Sequence, residues 1–394
     1  MQTATALPDA VSPTRPLIAI GVGGFAIGTG EFVIMGLLPE VSRDFGISIP
    51  VAGHWIGAYA LGVVIGAPAL AVLTAAWPRR TLLIALMAFY AVANFATALV
   101  PGHHAIMAMR FASGLPHGTY FGVGALVAAA LSPPDRRARA VGLVMLGLTG
   151  AILAGAPLAT WLGERFGWRA AFVFVGLIAV LAAALIRHEL PDLPTDANAS
   201  PMRELGALAR PQVWLTLATA GIGFGGLFCV FSYIKPTLIE VAGLDAAYIP
   251  WVLALFGLGG VVGNLFGARL ADRALNWTIG GTLLYSALLL AAFGTLARHV
   301  PTALVGVFLL GTLIALGPAL QIRLMDVAGD AQTLAAALNH SAFNFANASG
   351  AWLGGLAIAA GWGWTSLGWV GACLATGGLL VFCVSLVGAK PAGA

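Results

Sequence analysis

Apolar runs of about 20 residues, the length a helix needs to cross the hydrocarbon core of a bilayer, recur from Leu17 almost to the end of the chain. Soluble domains carry about a quarter of their residues as charged side chains, whereas here 9% of 394 residues are charged and 60% are hydrophobic. The 52 glycines would weaken helices in water, but in lipid small residues let helix backbones approach closely. The chain is therefore expected to be an all-α polytopic membrane protein.

Breaks at Pro, Gly and charged clusters divide the sequence into twelve expected spans. They cover 17–38, 51–75, 80–100, 104–131, 138–162 and 168–187, then 212–240, 247–270, 277–297, 301–322, 331–360 and 365–388. The longest polar stretch, His188 to Pro211, separates six from six. This predicts an N-terminal bundle over 1–187, a linker over 188–211 and a C-terminal bundle over 212–394. With the N-terminus in the cytoplasm, one side collects Arg15, Arg79, Arg80, Arg136, Arg137, Arg139, Arg187, Arg203, Arg210, Arg269, Arg273, Arg323 and Lys390. The other side holds Arg43, Arg165, Arg169, Lys235 and Arg298. The positive-inside rule then predicts that both termini are cytoplasmic. The first 16 residues lack a charged signal-peptide n-region, so Leu17 onward reads as a retained span. Cys229, Cys373 and Cys383 fall in apolar runs without ligand spacing and read as reduced packing residues. A net charge of +4 distributed by topology gives no nucleic-acid face.

Twelve spans in a six-plus-six plan resemble the major facilitator superfamily, and several motifs carry the resemblance. "GNLFGARLADR" (Gly263 to Arg273) is similar to its signature between the second and third helices of a six-helix half. That likeness implies a conformational latch built from Gly263, Gly267, Arg269, Asp272 and Arg273. The first-half copy, "ALAVLTAAWPRR", has Ala75 and Ala76 where the signature places its acid and base, and keeps only Arg79 and Arg80. "RFASGLPHG" (Arg110 to Gly118) resembles the family's Arg-x-x-x-Gly pattern on its fourth helix. "GLTGAILAGAPLATWLG" (Gly147 to Gly163) is similar to a relaxed antiporter signature, matched at Gly155 and Pro157, and "GWRAAF" opens the sixth span. The first-span phrase "EFVIMGLLP" resembles the arabinose-efflux-permease-like branch of the bacterial drug:proton antiporter family. The resemblance implies an inner-membrane secondary transporter that works as a monomer, moves a small solute against protons, and exports it.

Glu31 stands inside the first apolar run with no neutralising residue near it in sequence. Taking Pro39 as the end of that span, it lies about 12 Å below the membrane face, and Arg110, six residues past His104, lies about 9 Å below the same face. Intramembrane charges are costly, face a cavity and pair with one another. Glu31 and Arg110 are thus expected to face each other inside the first half, either as a proton-coupling pair or as a structural tie between helices. Burial penalises the charged form of a carboxyl group and a nearby cation restores it, so altered water access could load and release a proton on Glu31. His117, seven residues after Arg110, shares its helical face; it reads as a proton relay or substrate ligand, or as a histidine satisfied by a backbone carbonyl.

In the eleventh span, Asn339, His340, Asn344 and Asn347 form a polar stripe, which either lines a substrate cavity or bonds a neighbouring helix. Phe228 and Phe231 on the aromatic seventh span read as substrate contacts or as core. Lys235 is close enough to the membrane edge to snorkel, Arg323 reads as interfacial, and Asn94, Asn264 and His54 as local hydrogen-bonding residues. Both lysines precede proline, so no nucleotide-binding P-loop exists. No metal-ligand spacing, cofactor motif or nucleophile elbow is present either. A gradient-driven transporter of a drug-like, sugar or nucleoside solute is the expected function. An importer on the same fold and a non-transporting receptor are the alternatives.

Overall fold

The computed structural model describes residues 14–47, 49–193 and 200–387, and Lys390 lies outside them. Lipid offers the backbone no hydrogen-bond partner, so a spanning segment must satisfy its own amides and carbonyls as helix. Twelve spans result, as the sequence predicts. The first half comprises Thr14–Phe45, His54–Leu73, Arg79–Leu99, His103–Ala130, a fifth span from Arg137 to Phe166, and Trp168–Glu189. The second comprises Pro211–Gly223 continued by Gly225–Phe231 and Ile234–Glu240, then a 48-residue helix, Ile249–Leu296, that contains the eighth and ninth spans. Val300–Thr312 with Leu316–Val327, Gln332–Ala359 and Ser366–Val387 complete it. The eighth and ninth spans join without a loop, and their break is the single extended residue Ala274 (φ −156°, ψ 75°). By length and apolarity nine stretches qualify as membrane-crossing among the described residues. The fourth and eleventh spans, which carry the histidines and asparagines, are not among them, and the 48-residue helix qualifies once.

The first membrane-crossing stretch ends at Leu38 as expected, but its helix runs on outside it, six residues beyond Pro39 to Phe45. Its extra turns are held by Glu40 with Arg43 at 2.7 Å, and by Asp44, which accepts from the Trp168 indole at 2.9 Å and Arg169 at 2.8 Å. These two bonds hold the Asp44 carboxyl below the ordinary aspartate range. Large apolar side chains such as Leu99, Leu288 and Val384 point outward, as a lipid-facing perimeter requires.

Within the first half, the first span packs on the fifth and sixth, the second on the fourth, and the third on the sixth. In the second half, the seventh packs on the eleventh and twelfth, and the eighth on the tenth. The halves meet where the fourth and second spans touch the eleventh, and the fifth touches the eighth and tenth. Gly122 makes the first of these seams possible: a Cβ there would lie 2.7 Å from the Ala337 amide nitrogen. The second runs for about 22 Å, from Gly257 to Asp272 at helical rise. Its polar ties include Asn264 Nδ2 to Gly142 O at 2.7 Å, Asp272 to the fifth span's first turn, and Arg137 to Asp326 of the tenth span at 3.2 Å. Asn264, expected to bond locally, therefore joins the two halves. The ties between halves made by Asn264, Asp272 and Arg137 lie toward the face where the first span begins and the twelfth ends. That face, called the terminal face below, is sealed.

Candidate functional site

The length of the first span decides the geometry of the site. Glu31 is 14 residues from Phe45, about 21 Å in from the helix end. On the antiparallel fourth span His117 is 14 residues from His103, at the same ~21 Å, while Arg110 is only about 10 Å in. Glu31 therefore sits level with His117, not with Arg110. Its Oε2 lies 3.9 Å from His117 Nδ1, and among the described residues no ion pair joins it to Arg110. The expected facing pair is corrected to this extent, because Pro39 does not end the helix. The two charges remain within electrostatic reach of one another.

Tyr59 of the second span links Arg110 to His117. Its hydroxyl is 2.9 Å from His117 Nδ1, and the Arg110 guanidinium lies 4.6 Å from the centroid of its ring and 5.5 Å from that of Phe172. Arg110 is fully buried, and none of its three guanidinium nitrogens has a hydrogen-bond partner among the described residues. His117 is thus satisfied by a tyrosine and not by a backbone carbonyl. Sequence reasoning passed over Tyr59. The available signal was a tyrosine within an apolar span, whose hydroxyl needs a partner when buried. Gly30 lets the site close: a Cβ there would lie 2.2 Å from the Tyr90 hydroxyl, which donates to Ile27 O at 3.2 Å.

His340 brings in the second half. Its ring stacks on Phe121 with centroids 4.6 Å apart and lies 5.3 Å from His117; its Nε2 is buried without a partner among the described residues. From there a chain of rings runs through Phe343 and Phe224 to Phe228. Phe231 is not part of it and stacks instead on Phe256 of the eighth span, centroids 4.1 Å apart. The polar stripe divides likewise. Asn339 is fully buried and donates to Gln321 Oε1 at 2.6 Å, a tie to the tenth span that removes it from any cavity. Asn344 donates to His340 O at 3.0 Å, and Asn347 is half-buried on the same face. Arg323 is buried, donating to Asn276 at 2.8 Å and Ser385 at 3.1 Å, so it is an internal tie and not an interfacial cation.

The antiporter-like positions act on the first span. The fifth span's helix widens into one π turn, Ala151–Gly155, a feature frequent at functional sites. Gly155 there allows contact with Thr29, whose Oγ1 would be 2.1 Å from a Cβ. Pro157 is the second residue of the helical stretch that follows the π turn, Ala156–Phe166. Of the latch residues, Asp272 accepts from the amides of Ala138 at 2.7 Å and Arg139 at 3.2 Å, and pairs with Arg139 Nε at 3.0 Å. Gly263 and Gly267 seat the eighth span against Thr312 and Ala315 of the tenth. Arg269 and Arg273 are exposed; Arg269 donates to its own helix, at Leu265 O.

A protein-family model described as the Major Facilitator Superfamily matches residues 20–332. The Escherichia coli K12 "Inner membrane transport protein YdhP" is 39% identical over 371 residues, covering 94% of this chain and 95% of its own length. The "Putative transporter AraJ" of the same organism is 33% identical, covering 88% and 89%, which bears out the branch that the first-span phrase resembles. The fold matches the fucose:proton symporter FucP in its outward conformation, with a TM-score of 0.75 at 15% identity over 94% of this chain and 98% of that one. The chain belongs to the major facilitator superfamily, whose members are membrane transporters and not enzymes.

Proposed function

We propose that this protein is a proton-coupled antiporter of the inner membrane that exports a small solute, with Glu31 as its proton carrier. The observation that carries the reading is the position of that carboxylate. It is an acid deep in a membrane span, 3.9 Å from His117, at the level where His117 and His340 of opposite halves touch. Glu31 keeps 13% exposure while His117 keeps 2%, so the acid is the member of the cluster that solvent reaches. A proton taken up there neutralises the carboxylate and weakens its attraction for Arg110. Loss of the proton restores that attraction, and the helices that carry the two groups feel the difference.

The units 1–187 and 212–394, joined by 188–211, are the bodies that would rock around this level, in a monomer. The distribution of arginines assigns the terminal face to the cytoplasm. In the sealed arrangement described above, Glu31 would then exchange protons with the periplasmic side. His340, Asn344, Asn347 and Phe228 are the side chains offered to a solute from the second half. The ring chain suits an aromatic or amphipathic solute of the drug, sugar or nucleoside class.

Inside-out membrane vesicles with an acidic interior test this directly. A solute from a panel of these classes should accumulate inside and be released when nigericin collapses the proton gradient. Glu31→Gln should abolish accumulation while leaving solute exchange across the membrane. Accumulation that follows protons outward identifies an importer, and equal accumulation in both proteins removes Glu31 from the coupling step.

A further inference from the structure

The two halves seal the terminal face with two capped helix starts, and only one cap comes from the signature loop. The fifth span begins at Arg137, and Asp272 Oδ2 accepts the amide of its third residue, Arg139. The span equivalent to the fifth in the second half is the eleventh, which begins at Gln332. Six-plus-six symmetry would place the first-half acid on the third residue of that helix, Leu334, but Ala75 stands at the acid's position. The Leu334 amide is nonetheless satisfied. Glu204 of the linker accepts from it through Oε2 at 2.9 Å, and the residue is 5% exposed.

The linker is built to deliver this carboxylate. Ser200 Oγ caps the short helix Pro201–Leu205 by accepting the Arg203 amide. The Arg203 Nε donates to Asp330 O at 3.1 Å, in the turn before the eleventh span, and Arg210 packs over Gly329 of the same turn. Between Glu204 and the degenerate loop lies a cavity of about 260 Å³, lined by Thr74, Ala75, Ala76 and Thr333 among others. It is where the absent side chains of the first-half signature would point. An acid at an N-terminal turn satisfies orphan amides and complements the helix dipole.

We infer that Glu204 is the second latch of the transport cycle: the linker supplies to the eleventh span the carboxylate that the first half lost at Ala75. The inference rests on the reading that the halves rock, but not on which solute moves or whether protons drive it. One seal is thereby intrinsic to the second half, while the other is held by a segment that belongs to neither bundle. Glu204 is a positioning residue, and releasing it frees the fourth–eleventh seam to part.

The test reads conformation and not transport. Spin labels at Asp135 and Trp277, exposed residues of opposite halves, are introduced into the full chain with its three cysteines replaced. Loss of a helix cap shifts an equilibrium by about fivefold, within a range of about two- to thirtyfold, so Glu204→Ala should add a longer-distance population absent from the parent. Glu204→Gln, which keeps the shape and loses the charge, should shift it less in the same direction. Ala75→Asp in the Glu204→Ala chain should restore the short distance. An unchanged distance distribution in Glu204→Ala overturns the inference, as does a shift that Ala75→Asp fails to reverse, since the linker would then act through bulk packing alone. If Glu204→Ala does not fold, the Glu204→Gln pair with and without Ala75→Asp decides by the same signs. Failure of proton-driven accumulation with these shifts intact would count against the transport reading and leave the latch standing.

Discussion

Replacing Asp272 by alanine should loosen the fifth span before anything else. The carboxylate accepts two first-turn amides, at 2.7 and 3.2 Å, and pairs with Arg139. Losing a helix cap costs about 1 kcal/mol, and hydrogen bonds to a charged acceptor carry about 1.5–3 kcal/mol. The Arg139 side chain is 40% exposed, so its ion pair adds at most about 1 kcal/mol. These terms overlap, and a total of about 2–3 kcal/mol corresponds to about 30- to 150-fold in the equilibrium between capped and frayed states. Hydrogen exchange followed by mass spectrometry on peptides covering Arg137–Gly150 measures it. Exchange at Ala138 and Arg139 should accelerate by that factor in Asp272→Ala and by less in Asp272→Asn, which keeps an acceptor. Unchanged exchange in the folded Asp272→Ala protein would refute the reasoning, because the two amides would then be protected by something other than this side chain.

Further consequences are open to measurement. Gly122→Ala places a methyl 2.7 Å from the Ala337 backbone, an overpacking of about 1–3 kcal/mol. It should raise the water accessibility of the fourth–eleventh seam, read by alkylation of a cysteine placed at Thr333. Tyr59→Phe removes the hydroxyl bonded to His117; it should cost about 1 kcal/mol of thermal stability and change the pH profile of transport, whereas a purely structural tyrosine would leave the profile unmoved. The bonds from Trp168 and Arg169 hold Asp44 below its ordinary range. The stabilisation is therefore complete above the usual aspartate pKa of about 3.9 and is lost as pH falls through the lower folded value. Melting curves taken from about pH 6 down to about pH 3 should lose stability more steeply in the wild type than in Asp44→Asn.

Much of the fold was legible because the bilayer imposes one rule: an apolar run of sufficient length must be a helix. Nine membrane-crossing stretches follow from that rule among the described residues, and breaks at Pro, Gly and charged clusters mark the remaining spans. Helix ends were less legible, and one of them mattered. Pro39 reads as a stop, yet the helix passes through it, moving Glu31 from the level of Arg110 to that of His117. The acid itself was conspicuous because a charge in lipid demands a reason. Tyr59, which bonds the histidine beside it, was not, since in sequence a lone tyrosine resembles any other apolar span residue. Asn339 belonged to the right stripe but faces Gln321, a choice of side that helical periodicity alone does not make. Glu204 was hidden in the opposite way, within a polar segment where an acid needs no explanation until its hydrogen bond to Leu334 is seen.

The most direct test of Glu31 as the proton carrier is a pH-sensitive dye trapped in proteoliposomes of the purified protein. Solute is added on one side without an imposed gradient. Wild-type protein should move protons opposite to the solute, and Glu31→Gln, folded and still exchanging solute, should move none. Proton movement of equal size in Glu31→Gln would contradict the account and leave the carboxylate as a structural neighbour of His117.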